Sequence, residues 1–245
     1  MCYDDSARPP YPPVVTGGAA DAGDLTLRAA DGTEFLAYHA RAENPSGAGM
    51  LILPDVRGLH DFYRELADRF AEAGVHAIAI DYFARTAGKD TPRDSAFEYR
   101  PHVDQTRPET IDADARAAIE YLRSPDGGSA SRIYSVGFCF GGSNSWRQSA
   151  TQPGLRGAVG FYGVPSRVEE FVTKMQAPLL ILAAGQDFTP VEVTEKFAEE
   201  VRAHGGEATV QVYPNAPHSF FDRTFDQYRD ECDDAWRRIL EFLAA

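Results

Sequence analysis

Three residues of this chain have the types and the order needed for covalent acyl transfer. Cys139 lies in Val136-Gly137-Phe138-Cys139-Phe140-Gly141-Gly142, Asp187 closes Ala184-Gly185-Gln186-Asp187, and His218 sits in Asn215-Ala216-Pro217-His218-Ser219-Phe220. A thiolate attacks a carbonyl carbon far better than a thiol does, and free cysteine has a pKa of about 8.5. A histidine beside the sulfur and the N-terminus of a following helix would both lower it. A carboxylate on the far side of that histidine would hold one tautomer and offset its positive charge. Two backbone N–H groups, of Phe140 and of Val56, are candidates for the oxyanion hole: the residue after the nucleophile and the loop after the third strand.

Such groups act only if the chain brings them together, and the surrounding sequence supplies the elements for that. Ile133, Tyr134 and Val136 read as a strand and residues 141–151 as a helix, with a tight turn between. Strand, Gly-x-nucleophile-x-Gly and helix is the layout of a nucleophile elbow, here with cysteine in place of the better-known serine. Glycines two positions either side of the nucleophile are required because Cβ atoms there would collide, and the nucleophile takes a strained conformation.

Read in order, the chain begins with a Pro-rich arm, 1–23, followed by one domain, 24–245. A hairpin spans 25–28 and 34–38, turning at Asp31-Gly32. Continuous apolar runs at 49–54 and 75–80 predict strands buried on both faces, flanking a helix at 61–73 that Gly74 stops. A polar excursion at 84–109, with Pro92, Pro101 and Pro108, reads as a loop or cap over a site. The spacing then predicts a helix over 110–123 with Thr110 at or near its N-cap. Strands follow at 132–136, 155–161, 178–183 and 209–213. Helices are expected around 168–172, over 191–204 and over 225–243. Strands alternating with helices imply an α/β fold: a mostly parallel sheet of about seven to eight strands with helices on both faces. Sites in such sheets lie at the carboxyl ends of strands, where Cys139, Asp187 and His218 all fall. Nucleophile, acid, histidine is the chain order of α/β-hydrolases, unlike the chymotrypsin or subtilisin orders.

Composition narrows the partners. A formal net charge of −13 over 245 residues argues against nucleic acid and anionic membrane surfaces. An anionic substrate would therefore need a local arginine cluster. Cys2, Cys139 and Cys232 form neither a disulfide framework nor a zinc site, and Cys2 and Cys232 read as incidental. His60, His76, His102 and His204 read as surface or satisfied residues. With no secretory signal and no membrane-length apolar run, the expectation is a soluble cytoplasmic protein acting on a small molecule. The sequence sets no oligomeric state.

Gly-Phe-Cys-Phe-Gly-Gly, Gly-Gln-Asp187, His218-Ser-Phe and Asp81-Tyr82-Phe83-Ala84-Arg85 together resemble the dienelactone hydrolase (carboxymethylenebutenolidase) family, over roughly residues 25–243. That resemblance implies hydrolysis of the enol-lactone ring of dienelactone to maleylacetate by a Cys-His-Asp triad without a cofactor. Cys139 is then nucleophile, His218 general base and later acid, and Asp187 the orienting carboxylate. Asp55 occupies the position of a carboxylate, usually Glu, that pairs with the resting thiol. Arg85 matches one of two arginines that bind the substrate carboxylate. The other position holds Asp222, with Arg223 one residue later, and Arg57 stands where an aromatic residue is common. Arg57 and Arg223 are thus further candidates for substrate charge, with Phe83 and Ser219 completing the expected substrate contacts. The implied activity is a small ester or lactone hydrolase. Its alternatives are a broad carboxylesterase on neutral short-chain or aryl esters and a catalytically quiet small-molecule binder on the same fold.

Overall fold

Eight strands form one sheet in the order β1-β2-β4-β3-β5-β6-β7-β8, with β1 (Ala19–Arg28), β2 (Glu34–Ala42), β3 (Ala48–Leu53), β4 (His76–Ile80), β5 (Arg132–Phe138), β6 (Leu155–Phe161), β7 (Leu179–Gln186) and β8 (Ala208–Pro217). The structure, a computed structural model, describes residues 6–245, so Cys2 and the first five residues of the arm lie outside the described residues. β2 pairs antiparallel with β1 and β4, and every pairing from β4 to β8 is parallel.

The helices are α1 (Asp61–Glu72), α2 (Ala84–Ala87), α3 (Arg100–Gln105), α4 (Pro108–Arg123), α5 (Phe140–Thr151), α6 (Val191–Ala203) and α7 (Arg229–Ala244). Alternate side chains of the buried strands feed two cores, as the period of two in a strand requires. Met50 and Ile52 of β3 join Phe62 and Phe70 of α1 and Trp236 of α7 on one face. Leu51 and Leu53 face Ile111 and Ile119 of α4, Trp146 of α5 and Phe197 of α6 on the other. Among the described residues, no helix is long and apolar enough to cross a membrane.

Three local expectations need correction. β1 begins at Ala19, inside the stretch read as an arm. Its Ala-Ala-Asp-Ala-Gly start has little strand propensity, but Ala19 to Gly23 are held by pairing with β2. α4 begins two residues before Thr110, because Pro108 takes a first-turn position where its fixed φ suits a helix and its missing N–H costs nothing. The 84–109 excursion is no open loop, since it holds α2 and α3 and is pinned inward. Buried Arg93 bonds Asp81 at 2.7 Å, and buried Phe97 packs 6.0 Å from Phe83 between ring centroids.

Candidate active site

The elbow follows from backbone sterics. Cys139 caps α5 with φ 54° and ψ −113°, a left-handed conformation unfavourable for any residue with a Cβ. A methyl group built on Gly137 would lie 1.9 Å from the Gly141 carbonyl oxygen, and one on Gly141 would lie 2.0 Å from the Leu53 carbonyl oxygen. Glycine is therefore required at both positions. The thiol residue is 9% exposed, and Phe140, as the first residue of α5, has an N–H that no helical carbonyl can reach.

Parallel register assembles the rest. Leu53 pairs with Gly137, which sets Asp55 beside the elbow, and Phe138 pairs with Phe161, which sets Tyr162 beside Cys139. The Cys139 N–H donates to the Phe161 carbonyl at 3.1 Å. Past an irregularity after Ala184, Gln186 pairs with Pro217, so Asp187 and His218 emerge side by side. His218 Nδ1 lies 2.9 Å from both Oδ1 and Oδ2 of Asp187, whose side chain is only 3% exposed. The imidazole is flanked by two rings, Tyr162 at 4.8 Å and Phe188 at 4.5 Å between centroids.

Under the elbow lies a buried polar cluster. Arg57 and Asp55 are both fully buried, with Arg57 Nη2 donating to Asp55 Oδ2 at 2.8 Å and Nε contacting both carboxylate oxygens at 3.1 Å. Arg57 Nη1 meets His60 Nδ1 at 3.2 Å, and burial holds the His60 imidazole well below its usual pKa. Asp222, also fully buried, accepts a 2.5 Å hydrogen bond from the Tyr162 hydroxyl. Burial, and then the nearby Asp55 charge, raise its pKa to about 6. In the loop after β3, the Asp55 N–H donates to Tyr63 Oη, that of Arg57 to Asp55 Oδ1, and that of Gly58 to the Asp55 carbonyl. Val56 is the residue between them.

Several expected substrate contacts are built differently. Arg85 is committed to carboxylates: it grips Asp114 at 2.7 and 3.0 Å and Asp31 at 2.6 Å, and donates to Thr33 Oγ1 at 2.8 Å. It therefore holds the β1–β2 hairpin against α4. Arg57 and Asp55 are engaged with each other through both carboxylate oxygens of Asp55, a pairing that the sequence reading does not anticipate. Phe83 is fully buried under Phe140, their near-parallel rings 6.2 Å apart, and supports the elbow. Ser219, with φ 63°, is 2% exposed and turned into the protein. Arg223 is exposed, as a surface contact needs. Sequence reasoning missed Tyr162 and Phe188. Tyr162 directly follows the last residue of β6 and Phe188 directly follows Asp187, and these strand-end places are the signal that marks them.

Because Asp114 is buried and burial raises its pKa to about 6, Arg85→Ala leaves a poorly solvated carboxylate without its cation. The expected result is a stability loss of about 2 to 4 kcal/mol in denaturant titration. The preference between anionic and neutral esters should not shift; a marked rise in KM confined to anionic esters would restore Arg85 to the substrate.

An eight-stranded, mostly parallel sheet with an elbow after β5 and an acid–histidine pair after β7 and β8 defines the α/β-hydrolase fold. The model of the dienelactone hydrolase family matches residues 35–245. A provisionally assigned carboxymethylenebutenolidase of Salmonella typhi is 30% identical over 240 residues, covering 93% of this chain and 88% of that one. The chain belongs to the dienelactone hydrolase family. Among solved structures, a provisionally assigned dienelactone hydrolase from Klebsiella pneumoniae is similar with a TM-score of 0.77 at 26% identity, covering 91% of this chain and 98% of that one. A dienelactone hydrolase-like promiscuous phosphotriesterase from metagenomic libraries shares the fold, with a TM-score of 0.76 at 22% identity, covering 93% and 98%.

Proposed function

We propose that this hydrolase cleaves a small ester or lactone through a thioester formed on Cys139. The observation that carries this reading is the pairing of His218 with the buried carboxylate of Asp187 after β8 and β7, at the same carboxyl end of the sheet as a positive-φ cysteine on the elbow after β5. His218 takes the thiol proton as Sγ attacks the carbonyl carbon, and the oxyanion that forms is received by the N–H groups of Phe140 and Val56. The tetrahedral species collapses, the C–O bond breaks, and His218 returns the proton to the leaving alkoxide. Water then attacks the thioester with His218 as base, releasing the acid and restoring the thiol. Asp187 keeps the Nδ1 proton in place, so that Nε2 is the nitrogen that exchanges protons with sulfur and water.

The contact line from Phe97 through Phe83 to Phe140 supports residues 84–109 as an insertion that braces the elbow from its core side. Charge and cysteine usage support a cytoplasmic enzyme with a small-molecule substrate and no nucleic-acid partner. The commitment of Arg85 to Asp31 and Asp114 favours a second reading, a broader carboxylesterase on neutral short-chain or aryl esters. A panel of lactones, anionic esters and neutral aryl esters, run on wild type and Cys139→Ala, tests both. Wild-type turnover lost in the variant supports the thioester route, and a preference for neutral esters selects the broader enzyme. Absence of turnover across the panel leaves the fold as a binder.

A further inference from the structure

We propose that Arg167 is the specificity residue that draws a negatively charged ester to this site, an assignment that rests on Cys139 as the reacting thiol. The two arginines best placed by motif are both neutralised: Arg57 by Asp55, and Arg85 by Asp31 and Asp114. Arg167 is different. It is exposed, and among the described residues no carboxylate oxygen lies within 4 Å of its guanidinium nitrogens. Its guanidinium carbon lies 5.3 Å from the centre of the Phe140 ring, the side chain next to the nucleophile.

The position is fixed rather than incidental. Arg167 ends a short 3-10 turn, Pro165–Arg167, that follows Tyr162 at the mouth end of β6. Ser143 of α5 clamps the start of that turn, accepting from the Val164 N–H at 2.7 Å and donating to the Val164 carbonyl at 3.1 Å. Val168, just beyond, is buried. Phe140 is itself immobilised from the core side by Tyr82, 5.6 Å away between centroids, and by Phe83. A guanidinium over an aromatic ring is held by the ring quadrupole and stays open to an anion at its edge. On a chain of net charge −13, one uncompensated cation near the oxyanion donor decides whether an anion lingers at the mouth. Phe188, 68% exposed and with its ring tilted 4.5 Å from that of His218 between centroids, supplies an apolar wall at the acid–histidine pair. The substrate that fits is a small ester or lactone with an anionic group directed toward Arg167 and an apolar portion against Phe188.

Thiol alkylation reads this charge without requiring ester turnover. Iodoacetate and iodoacetamide have nearly the same shape and differ in charge, and peptide mass spectrometry follows their rates at Cys139 alone. Cys232 is fully buried and burial pushes its thiol pKa up, so it does not compete. In Arg167→Gln, the iodoacetate-to-iodoacetamide rate ratio at Cys139 is expected to fall about three- to tenfold, with a smaller fall at high salt. The kcat/KM ratio of mono-4-nitrophenyl succinate to 4-nitrophenyl butyrate should fall in parallel, mainly through KM. Ratios unchanged within about twofold overturn the assignment, as does a fall carried by Arg223→Gln instead. If the alkylation ratio falls but neither ester is cleaved by wild type, the ester reading fails and Arg167 stands as the cation that draws anions to the Cys139 thiol. If esters are cleaved with an unchanged ratio, the reverse holds.

Discussion

Replacing Cys139 by alanine is expected to lower kcat toward any ester the wild type cleaves by about 10⁴-fold or more, the scale seen when a covalent nucleophile is removed from a triad enzyme. The size follows from the division of labour at the site. Without Sγ no thioester forms, and hydrolysis must proceed by direct attack of water on a substrate held only by the mouth and the oxyanion donors. Alanine retains a Cβ and so neither relieves nor adds to the φ 54° conformation of the elbow. The fold should therefore survive, with stability within about 1 kcal/mol of wild type. Cys139→Ser should fall between the two, because a hydroxyl is far harder to deprotonate than a thiol and His218 must do more of the work. Rapid quenching of the wild type with an aryl ester should also show the acyl mass on the peptide that contains Cys139. A variant that keeps a tenth of wild-type activity, or an acyl group on another residue, would remove Cys139 from the reaction.

The elbow and its partners are legible in the sequence because each depends on local rules. Gly137 and Gly141 answer a steric demand within five residues, and Cys139, Asp187 and His218 each lie just past a segment whose residues read as a strand. What the sequence does not display is how charges choose partners across the fold. Arg85 meets Asp114 and Asp31, 29 and 54 residues away, and no local pattern announces either contact. Arg57 and Asp55 are two residues apart, and their pairing was open to inference from spacing alone. Arg167 has no motif. Only the register that places Tyr162 beside Cys139, and the clamp of Val164 on Ser143, brings it to Phe140.

The buried cluster beneath the elbow makes the second large effect, on stability and its pH dependence. Arg57→Met is expected to cost about 3 to 5 kcal/mol at pH 8, because it leaves Asp55 fully buried without its cation, close to a second buried carboxyl group at Asp222. The pH dependence has a definite sign. The Asp222 carboxyl has a pKa of about 6 in the folded protein, above the 3.8 of the free group, so the native state holds its proton more tightly than the unfolded chain does. That contribution to stability is fully present below about pH 4 and is lost as pH rises through about 6. A difference of roughly two units corresponds to at most about 3 kcal/mol. Asp222→Asn removes the titration while keeping an oxygen to accept from Tyr162, so relative to wild type it should gain stability steadily from pH 4 to pH 7. In Arg57→Met the slope should steepen, since the lost guanidinium no longer offsets the two carboxylates. Adding Asp222→Asn to Arg57→Met should then recover part of the loss at pH 8 and little at pH 4, a coupling that a double-mutant cycle in urea measures directly. Arg57→Met with wild-type stability at pH 8, or a loss of the same size at both pH values, would show that Arg57 does not hold these carboxylates in place.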